Sequence, residues 1–268
     1  MLKKFNLKDK FALITGAGGL LGNEHAHSLL ECGANIILTD INTKNLDKTF
    51  SSLKAQYKEK VIIKMKMDVT SETSIKKCKN YLKRKKIFVN ILINNASFNP
   101  KSENLRSLSF ENYDYKKWER EIRVGLTGAF LCSKIFGSEM AKKKEGVILN
   151  ISSDLSIIAP DQRIYNTSKK YKNVKPVTYS VAKTGLIGLT KYLATYWAPQ
   201  KIRCNAISPA GIFDGQNKSF VKKIKKLIPL ERMAERDEYR SAVQFLCSEA
   251  SSYMTGQNII IDGGRSIW

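Results

Sequence analysis

The sequence predicts an α/β protein: one doubly wound domain, with a seven-stranded parallel sheet and helices on both faces. Three observations predict it. Short apolar runs alternate with longer amphipathic stretches along the chain. Those runs are apolar along most of their length, the mark of strands covered on both faces. The first run also ends in a glycine cluster, TGAGGLLGN, placed between a strand and a helix. A chain of 268 residues has room for one large domain with a full core. No Pro/Gly/Ser-rich linker or internal repeat divides it, so residues 1–268 read as a single domain.

FALIT (11–15) is the first strand, and the helix after its glycine turn runs to about Gly33. NIILTD (35–40) is the second strand, followed by a helix over about 43–58. VIIKMKMD (61–68) is the third, followed by a lysine-rich helix at 71–86. VNILINN (89–95) precedes a long helix over roughly 112–141. GVILNISS (146–153), KIRCNAIS (201–208) and NIIIDGG (258–264) complete the sheet.

The composition narrows the partners. The net charge is +22, mostly lysine, a field that attracts anions. The lysines are spread over helix faces, in KEK, KRKK, KKK and KKIKK, which reads as solvated surface and not as a nucleic-acid groove. An anionic small substrate fits the charge. No apolar run approaches the ~20 residues of a membrane span, and the N-terminal apolar run is too short for a signal peptide. Five scattered cysteines, never spaced CxxC, point to a reducing cytoplasm with no disulfide framework and no zinc site.

Glycines at 16, 18, 19 and 22 let the backbone approach a pyrophosphate seated on a helix N-terminus, as in a Rossmann-type turn. Gly16, Gly19, Leu20, Leu21 and Gly22 are therefore candidate cofactor contacts. Asp40 ends the second strand 18 residues after Gly22, where a carboxylate accepts from adenosine ribose hydroxyls. A 2′-phosphate there meets like charge, so NAD is favoured over NADP. Asp68, followed by Val69, either faces the adenine or caps the helix before VTSET. His25 and His27 lie two apart on one helix and point to different faces, as structural or surface residues and not metal ligands.

A Tyr with a Lys four residues later occurs three times in quick succession: YNTSK (165–169), YKNVK (171–175) and YSVAK (179–183). Context separates them. YSVAKTGLIGLTKYLATYWA is an apolar helix carrying Ala182, Gly185 and Gly188, whereas YNTSKKYKNVKPVTYS is polar and broken by Pro176. A lysine one helical turn from a tyrosine favours the phenolate, whose pKa of ~10 is otherwise too high for a base near neutrality.

TG…G..G, INNA, NISS, YSVAK, NAISPAGI and TGQNIIIDGG stand in the order found in short-chain dehydrogenases/reductases, and the chain resembles that family from about Lys10 to Trp268. The resemblance implies NAD(P)-dependent hydride transfer between nicotinamide and an alcohol or ketone. It implies Tyr179 as acid/base, Lys183 as its electrostatic partner and ribose contact, and Ser153 as the hydrogen-bond partner of the reacting oxygen. It adds Asn95, Ala96, Pro209, Gly211 and Ile212 to the cofactor contacts, and it implies a homotetramer or homodimer.

Departures from the family pattern are informative. Gly125 stands where the family has a fourth catalytic residue, an Asn; a helix kink there presents a backbone carbonyl in its place. Ser97 and Ala210 replace common glycines, and the spacing of Gly16, Gly19 and Gly22 follows the extended, sugar-nucleotide branch. An enlarged loop at about 154–178 separates Ser153 from Tyr179 and is expected to select the substrate. Asp154, Asp161, Gln162 and Arg163 suit hydroxyls or a carboxylate. This segment resembles enzymes of bacterial surface-sugar and flagellin glycosylation, including nonulosonic-acid pathways, which implies a sugar or sugar-acid substrate. Two alternatives stand beside this reading: a sugar-nucleotide epimerase or dehydratase with tightly held NAD, and a non-catalytic nucleotide-binding protein.

Overall fold

Strand β1 (Phe11–Thr15) runs into the glycine turn and then α1 (Leu20–Glu31). β2 (Asn35–Asp40), α2 (Thr43–Gln56), β3 (Ile62–Lys66), α3 (Glu72–Arg84) and β4 (Ile91–Asn94) follow. The computed structural model describes residues 3–98, 109–165 and 173–268. Past β4, the expected long helix is α4 (Tyr115–Ile122), α5 (Gly128–Cys132) and α6 (Ser138–Lys143), joined by π-helical turns at Arg123–Thr127 and Ser133–Gly137. Then come β5 (Gly146–Ile151), α7 (Val177–Tyr196), β6 (Ile202–Pro209), α8 (Lys218–Lys225), α9 (Arg240–Cys247) and β7 (Asn258–Ile261).

All strand pairs are parallel, in the order β3-β2-β1-β4-β5-β6-β7, so the expected seven-stranded doubly wound sheet is present. Parallel strands all end at one edge of the sheet, and every βα turn opens there. Helix α7 begins two residues before Tyr179, directly after Pro176, whose fixed φ suits a helix entry. Helices α8 and α9 occupy a stretch to which the sequence reading assigned no element. Each is eight residues long and buries few side chains: Phe220 and Ile224 in one, Val243, Leu246 and Cys247 in the other.

Two cores lie on opposite faces of the sheet. Ile14, Ile36 and Leu38 pack with Leu29 of α1 and Val243 and Leu246 of α9 on one face. Leu13, Ile37, Leu92 and Ile148 pack with Ile75, Leu82, Phe136 and Leu193 on the other. Alternate residues of each strand thus serve opposite cores. A third, smaller cluster joins Ile164 and Tyr165 to Phe220, Ile224, Ile228 and Met233. It fastens the segment after β5 to α8, away from the sheet.

Glycines let the α4–α6 helix and α7 pack closely. A Cβ on Gly137 would lie 2.4 Å from the Trp197 ring, so glycine lets α7's end close on this helix. A Cβ on Gly185 would likewise lie 2.7 Å from the Leu126 side chain. Gly188, expected as a third small packing residue, has nothing within 4 Å among the described residues and lies on the exposed face of α7.

Candidate active site

The glycine turn is built by close approach. Gly16 has φ +64°, and a Cβ there would meet the Ala96 backbone at 2.9 Å. At Gly22 it would meet the Gly16 carbonyl oxygen at 2.4 Å. A side chain at either site forces the turn away from β4 or α1 away from the turn. Gly19 caps α1 without any side-chain acceptor, so the first N–H groups of that helix, from Leu20, Leu21 and Gly22, remain donors at the sheet edge. Such an end suits a pyrophosphate.

Asp40 closes the turn from the side. Its Oδ2 accepts from Gly18 N at 2.9 Å and its Oδ1 from Asn42 N at 2.8 Å. Asn95 and Ala96 face the same turn. Thr15 Oγ1 accepts from both their backbone N–H groups at 3.0 Å, and the Asn95 amide donates to the Thr15 and Gly16 carbonyls. Asp68 is not the helix cap: Ser71 caps α3, while Asp68 Oδ1 accepts from Thr70 N and Oγ1 at 2.8 Å. Val69 is buried and would meet a Cβ on Gly128 at 2.8 Å. Pro209 ends β6, and Gly211 and Ile212 follow it; Ile212 bridges to Ala234.

Under the edge lies a buried amide ladder. The Asn94 amide donates to Asn150 Oδ1 at 2.8 Å and to Ser133 Oγ at 3.0 Å, and Asn150 donates to Thr190 Oγ1 at 2.8 Å. This ties β4, β5, the second π turn and α7 together.

Tyr179 lies in the first turn of α7, with Lys183 one turn on. Ser152 Oγ donates to the Lys183 carbonyl at 2.8 Å, and Lys183 Nζ donates to the Ile151 carbonyl at 2.7 Å, so the end of β5 grips the helix twice. Ser153, next to the phenol, donates its hydroxyl to Asp154 Oδ1 at 2.8 Å. Burial pushes the Tyr179 phenol up to about 12; the neighbouring Ser153 hydroxyl opposes the rise and the Asp154 charge adds to it. Burial also pulls the Lys183 ammonium down to about 7, helped by the charge of Lys175. The expected depression of the phenol by Lys183 is therefore not met in the chain alone: desolvation outweighs an ammonium 5.7 Å from the ring centroid.

The other two tyrosine–lysine pairs fare differently. The Tyr165 ring packs on Phe220, 5.6 Å between centroids, and burial pushes its hydroxyl well up. Lys169 and Tyr171 lie outside the described residues. Lys175 reaches the site, its Nζ 3.7 Å above the Tyr179 ring. Burial lowers it to about 8, with Asp154 opposing the shift. Motif reading passed over this lysine because it lacks helical context.

The polar residues of the enlarged loop are largely committed to the protein itself. Asp154, expected as a substrate contact, is buried: Oδ2 accepts from Arg265 at 2.7 Å and Oδ1 from Ser153 Oγ at 2.8 Å. Gln162 Oε1 accepts from the Lys175 backbone N–H at 2.8 Å, holding that lysine's segment in place. Arg163 is 88% exposed and forks onto Asp161 in solvent, so neither side chain is presented to the phenol. Arg265 and Lys175 are the charged residues that sequence reading missed. The expected kink at Gly125 is a π turn, and a Cβ on Gly125 would lie 3.2 Å from Ala182, beside Lys183. Of the two histidines, His25 is a core residue of α1 and His27 bonds the Tyr57 hydroxyl at 3.1 Å.

The family described as enoyl-(acyl carrier protein) reductase matches residues 16–266. An NAD-dependent glycerol dehydrogenase of Listeria innocua is 33% identical, over 99% of this chain and 97% of that protein. A post-translational flagellin modification protein A of Campylobacter coli is 26% identical, over 96% and 98%. Among solved structures, a short-chain dehydrogenase of Leptospira borgpetersenii with bound NAD+ superposes with a TM-score of 0.85 at 34% identity, covering 100% and 97% of the two chains. A gluconate 5-dehydrogenase of Burkholderia cenocepacia, in complex with NADP and tartrate, also gives 0.85, at 25% identity over 99% and 98%. With this glycine turn, this strand order and a relative 33% identical along nearly its whole length, the chain belongs to the short-chain dehydrogenase/reductase family of NAD(P)-dependent oxidoreductases.

Proposed function

We propose that this enzyme oxidises a hydroxyl group of a sugar or sugar acid, or reduces the matching ketone, with NAD preferred over NADP. The observation that carries the reading is the Tyr179 phenol in the first turn of α7, with Lys183 one helical turn on and bonded to the end of β5. The uncapped end of α1, the Asp40 carboxylate and the Lys183 ammonium suit the pyrophosphate and riboses of a dinucleotide. Nicotinamide, when bound, supplies the hydride acceptor or donor. In this reading Tyr179 takes the substrate hydroxyl proton on oxidation and returns it on reduction. Ser153 holds the reacting oxygen, and Lys183 holds ribose and stabilises the phenolate.

An acidic substrate is supported by a cavity of about 640 Å³ beyond β6. Lys218, Lys222, Lys225 and Lys226 line it with Phe213, Gln216 and Val221, four cationic side chains against the one carboxylate of Glu231. The glycerol and gluconate specificities named for the relatives support a polyol or its acid. The flagellin-modification relative supports a place in surface-glycan synthesis.

The test is turnover of gluconate against glycerol and xylitol with NAD, in the wild type and in Lys222→Ala/Lys225→Ala. The double variant is expected to raise KM for the acid about tenfold and to leave KM for the polyols unchanged. Equal effects on both would remove the anion preference. Turnover of a 3-oxoacyl thioester in place of all three would remove the sugar reading.

A further inference from the structure

The parallel strands all begin at one edge of the sheet and end at the other, and the proposed reaction uses only the second. Ser153 follows the end of β5, and Pro209 closes β6. At the first edge, where β4, β5 and β6 begin, there is a cavity of about 690 Å³, a size common among small-molecule sites. Gly146 and Val147 of β5 and Ile202 and Arg203 of β6 line it. The six residues of β5 separate it from Ser153 by roughly 20 Å, so it is no extension of the site already described.

The cavity carries more positive charge than its own carboxylates use. Lys10, Lys144, Lys201 and Arg203 line it, with the carboxylates of Glu145 and Glu249. Lys10 Nζ donates to Glu145 Oε1 at 2.6 Å and the Asn90 amide to the same oxygen at 2.7 Å, so that pair is closed. Lys144 and Lys201 are exposed, and neither ammonium has an acceptor among the described residues. Arg203 is half-buried, and its bonds go to uncharged oxygens. Nη1 donates to the Leu246 carbonyl at 3.1 Å and Ser251 Oγ at 2.8 Å, and Nη2 to the Ser248 carbonyl at 2.8 Å. Burial pulls its pKa down; Cys247 and Glu249 oppose the shift, but neither bonds it among the described residues. Nε–H and a second Nη2–H remain to be donated. A half-buried guanidinium without a bonded anion is costly, and an anion in the cavity answers it. Beside these charges Tyr253, wholly exposed, and Met254 offer an apolar wall.

We propose that this cavity is a second ligand site, for a small phosphorylated metabolite, with the phosphoryl group between Lys144, Lys201 and Arg203 and the carbon skeleton against Tyr253 and Met254. Three cationic groups suit a phosphoryl group, which brings close to two negative charges and three acceptor oxygens, better than a single carboxylate with one charge and two oxygens.

The backbone supplies a clean variant. Lys144 and Lys201 have φ +53° and +59°, the region that favours glycine. Lys144→Gly/Lys201→Gly therefore removes two charges from the cavity and relaxes both turns, and its Tm should not fall. The probe is phenyl phosphate, titrated by calorimetry into the full chain saturated with NADH, which keeps the anion off the glycine turn. The wild type should bind it, and the double glycine variant should bind it about tenfold or more weakly. Lys222→Ala/Lys225→Ala, which strips charge from the cavity beyond β6, should leave the affinity within about twofold. No binding by the wild type, or the reverse pattern in the two variants, overturns the proposal. Equal losses in both also overturn it, because they report the general positive field of the protein. Benzoate bound more tightly than phenyl phosphate overturns the phosphoryl assignment, and inorganic phosphate bound as tightly overturns the metabolite. No readout here uses turnover, so failure of the proposed sugar substrate leaves the test standing.

Discussion

The two halves of the sheet edge are held together in opposite ways. On the cofactor side, contacts are made by backbone and by short polar side chains at strand ends: Gly16 against Ala96, Asp40 on Gly18, Thr15 on Asn95. On the substrate side, long charged side chains meet from distant parts of the chain: Arg265 on Asp154 and Lys175 over Tyr179. The first half is a rigid cradle whose geometry follows from where strands end. The second is an electrostatic assembly, with three cationic residues and one carboxylate around a phenol. The comparison teaches that cradle and chemistry are separable, so a change on one side should be readable without the other.

Tyr179→Phe is the strongest way to break that separation. It removes the proposed acid/base group and leaves every contact of the glycine turn in place. Turnover should fall by roughly 10²–10⁴-fold. NADH affinity, measured by fluorescence titration, should stay within about twofold. Parallel losses of affinity and turnover would show that the halves act as one unit. Tyr165→Phe, in the cluster under α8, should leave the chemical step intact.

How far each half was legible follows from the same contrast. Strands, sheet and glycine turn follow from local pattern: FALIT before TGAGG, and Asp40 at a strand end. Tyr179 was distinguished from Tyr165 by helical context alone, and the packing of Tyr165 on Phe220 has the physical sense that a polar loop did not reveal. The partners of Asp154 and Arg163 were not legible for one reason. A polar residue in a loop looks available, and nothing local says that Arg265 arrives from 111 positions away or that Asp161 already holds the guanidinium. Lys175 was missed because its value lies in the ring beneath it, not in its spacing. Helices α8 and α9 were missed because each is only eight residues long, too short for a helical period to stand out.

His25 sharpens the comparison where the halves touch. It belongs to α1 and is fully buried, and both its ring nitrogens lack a partner among the described residues. Burial lowers its pKa to about 3; the neighbouring Asn95 amide offsets little, being spent on Thr15 and Gly16, and the Lys183 charge adds to the fall. Between pH 6.5 and 3 the unfolded chain therefore binds a proton that the folded chain refuses, so stability falls as pH drops through this window. At pH 5 this amounts to about 2 kcal/mol. His25→Leu should remove that share of the acid sensitivity, read as the difference in urea unfolding free energy between pH 7 and pH 5. Equal differences in both proteins would show that the buried ring is protonated at an ordinary pKa.

Asp40 offers the finest test, because it belongs wholly to the cradle and yet carries the one charge there that faces the proposed ribose. Each of its oxygens accepts one backbone N–H, from Gly18 and from Asn42, and each keeps a lone pair for a hydroxyl. A 2′-phosphate in that position would bring two negative groups together. Asp40→Asn keeps an acceptor and the shape of the turn while removing the charge. NADH binding should weaken by about tenfold, as expected for hydrogen bonds that lose a charged acceptor. NADPH binding should improve, so the ratio of the two affinities should narrow by more than either changes alone. The chemical step at Tyr179 should be unaffected once cofactor is saturating, because no contact of Asp40 reaches the substrate side. A wild-type protein that binds NADPH more tightly than NADH would overturn the assignment of Asp40. A variant whose saturated rate also falls would show that the cradle is not independent of the charges around the phenol.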